Sequence, residues 1–120
     1  MSTLTVTNIK ATGETASRAV SGVAAIWCKI DSDASTAAFH NSSGTSSLID
    51  NGTGNYTINF TNNFDSGDYA AVGSNKRRGF TDEILNPYDT FAGYLRFDFL
   101  DDSSNADPEF IMWSFHGDLA

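Results

Sequence analysis

The sequence predicts an all-β protein, an antiparallel β-sandwich or jelly-roll-like barrel with an extended N-terminal arm. Three observations carry that prediction. Apolar and polar residues alternate with a period of two along several short runs. Clusters of Gly, Asn, Asp and Ser separate those runs at short intervals, and no stretch supports a helix longer than two turns. The clearest run sets Tyr56, Ile58 and Phe60 against Thr57, Asn59 and Thr61, which turns one strand face to a core and the other to water.

Taken in order, Leu4, Val6 and Ile9 mark a short extended segment, and Ala11 to Gly22 is small and polar. Such a stretch cannot bury enough surface to order itself. Residues 1–22 are therefore expected to be an assembly arm that uses Leu4, Val6 and Ile9 to dock on a neighbouring subunit or on a component of a larger assembly, with a floppy tail as the alternative, and residues 23–120 to be the sandwich. Val23 to Ile30 is the first strand, with Ile26, Cys28 and Ile30 on one face and Ala25, Trp27 and Lys29 on the other. Asp31 to Ser35 is a turn, Thr36 to His40 a return strand, and Asn41 to Thr45 a loop.

Leu48 and Ile49 lead into Asn51-Gly52-Thr53-Gly54, a hairpin turn because glycine takes positive φ without steric cost. The strand around Tyr56 to Phe60 follows, then a loop from Asn62 to Gly67 and a strand from Asp68 to Val72. Phe80 to Asp89 has no clear period, and Asn86-Pro87 is a turn signal. Phe91, Gly93, Leu95, Phe97 and Phe99 read as one row of a long strand from Thr90 to Leu100. Burying its four large side chains contributes about 1.5 to 3 kcal/mol each, which makes it central to the core. Asp101 to Pro108 is a polar loop. The closing strand, Glu109 to Phe115, carries Ile111, Trp113 and Phe115 on one face and Phe110 and Met112 on the other. A strand apolar on both faces needs two covers, so a homo-oligomer is expected.

A chain of 120 residues that is 40% hydrophobic suffices for one domain with a real core and is too apolar for a disordered segment. The formal charge of −8 disfavours nucleic acid, because phosphate contact needs clustered Lys and Arg. Cys28 is the single cysteine, so it forms no intrachain disulfide and is expected as a small buried hydrophobe. The opening lacks a basic and apolar leader and no run is long enough to cross a membrane, so neither membrane insertion nor export through a signal peptide is expected.

One stretch resembles a known family. Ser46 to Thr61, reading SSLIDNGTGNYTINFT, followed closely by Asp68-Tyr69, is similar to a module of virion structural proteins in tailed bacteriophages, many of them marine or cyanobacterial. In tail-fibre-like members a Gly-Val-Ala-Ala-x-Trp segment precedes it and a closing strand ending near Phe-x-Gly-Asp follows. This chain has Gly22-Val23-Ala24-Ala25-Ile26-Trp27 and Phe115-His116-Gly117-Asp118, and its opening, Met1 to Ile9, resembles the starts of many such proteins. The likeness covers residues 1 to 73 and the last ten. It implies a non-enzymatic structural protein made in the bacterial cytoplasm and placed on the phage particle surface. It further implies a trimer partnered by other virion proteins of tail or capsid and in contact with the host surface.

Candidate sites follow from residue type. Lys76, Arg77 and Arg78 hold three of the seven basic residues and offer charge-assisted hydrogen bonds to an anionic glycan or phosphate, with acidic groups of a neighbouring subunit or plain solvation as the alternative. Trp27, Tyr69, Tyr88, Tyr94 and Trp113 have faces on which a host surface glycan can stack, although large aromatics in a β domain are mostly core. Asp101 to Asp107 has oxygen-bearing side chains at alternate positions, as a calcium loop needs. It lacks the glycine and bidentate glutamate of the helical calcium hand, which favours a solvated hairpin loop. No catalytic residue, cofactor or metal ligand is assigned. His40 and His116 stand beside no nucleophile motif, and the fifteen carboxylates form a glycosidase pair only if the fold brings two together.

The expected function is thus a tail-fibre or fibre-linked module on the virion surface that contacts the host. A head decoration or cement protein is the alternative, and a free carbohydrate-binding module a third.

Overall fold

Alternation decides which side chains point inward, and hydrogen-bonded pairing decides which of them meet. The computed structural model describes residues 2–10, 12–13, 15, 18–19, 24–34, 36–76, 83–101 and 104–120. It contains the strands β1 (Asn8–Ile9), β2 (Arg18–Ala19), β3 (Ile26–Asp31), β4 (Ala38–Ser43), β5 (Thr45–Gly52), β6 (Asn55–Phe60), β7 (Ala70–Lys76), β8 (Glu83–Phe91), β9 (Tyr94–Asp101), β10 (Ser104–Asn105) and β11 (Phe110–His116), with no helix among the described residues. Two antiparallel sheets form a sandwich. The front sheet runs β5-β6-β9-β8, with the short β10 beside the far end of β9, and the back sheet runs β4-β3-β11-β7.

The core lies between them. Tyr56, Ile58 and Phe60 of β6 and Leu95, Phe97 and Phe99 of β9 face Ile26, Cys28 and Ile30 of β3 and Ile111, Trp113 and Phe115 of β11, all buried. The rings cross the interface edge to face: Phe97 and Trp113 centroids are 5.1 Å apart, and so are those of Phe60 and Phe115. That geometry suits the ring quadrupoles and adds to the area buried. Phe64 and Tyr69 stack at 4.4 Å and close one end, where Phe64 also bridges to Leu119. Cys28 is buried as expected, and desolvation pushes its thiol up to about 12.

Three local expectations are corrected. The stretch from Thr90 to Leu100 is not one strand: Ala92 and Gly93 turn the chain, so β8 and β9 form a hairpin with Phe91 paired to Tyr94. Phe91 consequently lies on the outer face, 49% exposed, rather than in the core row. From Glu83 on, the aperiodic segment before it is strand β8, and Pro87 sits at a bulge between Pro87 and Asp89 instead of a turn. A bulge on an edge strand is where proline's missing N–H costs no ladder bond. The NSSGT run is likewise no loop. It joins β4 to β5 through Gly44 alone, whose φ of +81 bends the ribbon from back sheet to front.

The expected hairpin at Asn51 to Gly54 is present, with Gly52 and Gly54 both at positive φ. In the arm, residues 2–7 belong to no strand, while β1 and β2 pair with each other. Of the small polar segment, the described residues are Thr12 and Gly13, which form a turn, Thr15, and the β2 pair Arg18 and Ala19. The expected boundary at 22/23 lies outside the described residues.

Candidate functional site

The outward residues of the front sheet form the most developed surface of the molecule. Asn55, Thr57 and Asn59 alternate outward on β6, and Tyr94, Arg96 and Asp98 do so on β9. The register sets Asn55 beside Asp98, Thr57 beside Arg96 and Asn59 beside Tyr94. From β8 come Phe91 beside Tyr94 and Asp89 beside Arg96. The bulge at Pro87 rotates Tyr88 onto this same face, a re-aiming that bulges commonly provide.

The side chains are ordered by one another. Asn55 Nδ2 donates to the Tyr88 hydroxyl at 2.9 Å and to Asp98 Oδ1 at 2.6 Å. The Arg96 guanidinium carbon lies 5.4 Å from the Tyr88 ring centre, within cation–π range. Phe91 and Tyr94 stack at 4.8 Å and 27°, and Tyr94 is anchored from below, its carbonyl accepting from the Tyr69 hydroxyl at 3.0 Å. Farther along the face, Asn59 donates to Ser47 and Asn51 to Thr57, each at 2.9 Å. Asn55 Oδ1 and Arg96 Nε are buried without a hydrogen-bond partner among the described residues. Tyr88 is 40% exposed. The result is a sheet face that combines aromatic area, fixed amide and carboxylate acceptors, and a guanidinium.

The sequence candidates fall in different places. Of the five aromatics, Tyr88 and Tyr94 reach this face, Trp27 lies on the outer face of the back sheet, and Tyr69 and Trp113 are buried, which removes them as stacking platforms. They are inward members of the alternation, and burial pushes the Tyr69 phenol up to about 12. Lys76 pairs with Glu109 at 3.2 Å within the chain, an exposed pair of small energetic weight, while Arg77 and Arg78 lie outside the described residues. Leu4, Val6 and Ile9 are all exposed.

Asp107, read as a calcium-loop member, instead accepts from Gly54 N at 2.7 Å and from the Tyr56 hydroxyl, fastening the loop after β10 to the β5–β6 turn. Burial, followed by the hydrogen bond to Asp107 and its charge, holds the Tyr56 phenol well above its ordinary range. Asp102 lies outside the described residues. Among the described residues no group of three or more His, Cys, Asp or Glu is arranged to hold a metal.

Phe110 and Met112, expected to need a cover from outside the chain, are half-buried already. Lys29 Nζ stands 4.2 Å and Lys76 Nζ 5.6 Å from the Phe110 ring centre, and His40 meets that ring edge-on at 5.5 Å. Two ammonium groups thus stand over the Phe110 ring, within cation–π range.

Asn55, Asp98 and Arg96 were not singled out from sequence. Their signal was the run of planar polar residues at every second position on both β6 and β9, which becomes a site only once the two strands are neighbours. No protein-family model, curated protein or solved structure matches the chain.

Proposed function

We propose that this chain is a non-enzymatic structural module on the surface of a bacteriophage particle. It belongs to a tail fibre or a fibre-linked part and touches the host through the front sheet. The resemblance of Ser46 to Thr61 and of the flanking Gly22 to Trp27 and Phe115 to Asp118 segments supports the particle assignment. The observation that carries host contact is the ordered Tyr88–Asn55–Asp98 chain, set beside Arg96 and the Phe91–Tyr94 stack on the outer face of the front sheet, where Tyr88 and Phe91 are exposed. A hydroxyl-rich bacterial surface glycan fits that chemistry. Its C–H faces lie on the aromatic rings and its hydroxyls meet acceptors and donors whose positions are already paid for by their mutual bonds.

The test is gold labelling of intact virions together with glycan binding by the isolated protein. Label at the tail, and binding that falls at least tenfold in Tyr88→Ala and Arg96→Ala, supports the reading. Label spread over the head favours the decoration alternative, for which the exposed Leu4 and Val6 are the supporting observation. Absence from the particle overturns both, and glycan binding without particle location leaves a free carbohydrate-binding module.

A further inference from the structure

Besides the two-residue β10, the described residues include four lateral strands of the sandwich, each paired there on one side only: β5 and β8 in the front sheet, β4 and β7 in the back sheet. A lateral strand offers unpaired N–H and C=O groups to any passing strand, and proteins blunt such edges with bulges, proline or charge. Three of these four are blunted. β8 carries Pro87 and a bulge, β5 shifts register at both ends, and β4 meets β3 through a bulge at Lys29 and Ile30. β7 is different. It keeps seven residues in unbroken register on β11, contains no proline, carries its one charge, Lys76, at its last position, and turns Val72 outward at 63% exposure.

The chain also contains an unused strand. Thr3-Leu4-Thr5-Val6-Thr7 alternates hydroxyl and apolar side chains and is rich in β-branched residues, the composition of a half-buried strand. Yet residues 2–7 belong to no strand among the described residues, and Leu4 is 85% exposed.

We propose that residues 3–7 of one copy add as a fifth strand to the open edge of β7 in a second copy. The register of the back sheet says which way the new strand faces. Trp27, Ser114 and Val72 form one outward row across β3, β11 and β7, with Trp27 42% exposed. Leu4 and Val6 on that outer side extend the row and cover Val72. The threonines then point to the inner side of β7, toward Asn75, whose Oδ1 is buried without a partner and accepts a threonine hydroxyl. The second copy is the occupant because the complementary strand is encoded in the same chain and stands exposed. This inference deepens the homo-oligomer expected from the sequence and rests on no property of the front face, so loss of glycan binding or of virion label leaves it untouched.

The test is the mass in solution of the full chain, of a chain lacking residues 2–7, and of Val72→Lys, with a mixing experiment between Leu4→Cys and Val72→Cys copies carrying different tags. The expected result is an oligomer for the full chain, a folded monomer for the truncated chain, and a disulfide joining the two tags on oxidation, the buried Cys28 remaining unmodified. A full chain that is monomeric at high micromolar concentration overturns the proposal, as does a truncated chain of unchanged oligomeric mass or a mixture in which the two tags are never joined. Should Val72→Lys fail to fold, the truncation and the mixing experiment still decide.

Discussion

Replacing Asp107 with alanine tests how the sandwich is fastened at its β5–β6 end. Asp107 Oδ1 accepts from Gly54 N and from the Tyr56 hydroxyl, and both donors are buried, Tyr56 at 1% exposure. Removing the acceptor orphans two buried donors at about 1 to 3 kcal/mol each, so Asp107→Ala is expected to cost about 3 kcal/mol. Tyr56→Phe removes a single bond and leaves the half-exposed carboxylate to water and Gly54, at about 1 kcal/mol. The double variant is then less destabilised than the sum, because the orphaned hydroxyl has gone as well. Urea melts read all three, with an unchanged slope showing that the unfolding transition is the same. In a thermal scan Asp107→Ala should melt about 10 °C lower. A loss under about 0.5 kcal/mol for Asp107→Ala would refute the reasoning, since it would mean that water satisfies both donors.

Gly54→Ala is expected to be among the most destabilising single changes, because the new Cβ falls 2.6 Å from the Phe99 carbonyl oxygen and 2.7 Å from Ala106 backbone atoms at a φ of +65; circular dichroism and urea melts read it. Phe97→Ala should cost about 3 to 5 kcal/mol and Phe91→Ala under about 1 kcal/mol, since one ring is core and the other lies on the outer face; equal losses would contradict the β8–β9 hairpin. Stability should fall on the alkaline side. Cys28 and Tyr69 are held in their neutral forms up to about 12, against 9.0 and 10.0 when unperturbed. Between those values the unfolded chain has released protons that the folded chain retains, so the contribution is complete below pH 9 and disappears as pH rises through 12. Urea melts from pH 8 to 11 check the sign, and Cys28→Ala should delay the onset by about one pH unit, the gap between an ordinary thiol and phenol.

The strands on which the core rests were legible in the sequence. Ile26, Cys28 and Ile30, then Tyr56, Ile58 and Phe60, then Ile111, Trp113 and Phe115 are inward as their alternation requires, because strand faces follow from a period that needs no partner. The row from Phe91 to Phe99 was misread for a related reason. Its members all stand at odd positions, but the two-residue turn at Ala92 and Gly93 pairs Phe91 with Tyr94, so parity inverts and Phe91 shares a face with Tyr94 rather than with Leu95. Alternation cannot register a turn whose own residues continue the pattern. Pro87 hid β8 in the same way, a bulge breaking the period that would have revealed the strand.

For the candidate site, the sequence supplied Tyr88 and Tyr94 as aromatics and an Asn- and Thr-rich strand, but not the cluster. Asn55 meets residues 33 and 43 positions away, and Asp107 meets partners 53 and 51 positions away. What the sequence determined by itself was the class of fold, the face of each regular strand and the turn at Asn51 to Gly54, all set by neighbours two to four residues apart. The order of the strands, the register between β6 and β9, the bulge that turns Tyr88 onto their face and the open edge of β7 were decided only by the tertiary structure. Pairing between strands is a contact between distant residues, and a period of two is the same whichever strand lies alongside.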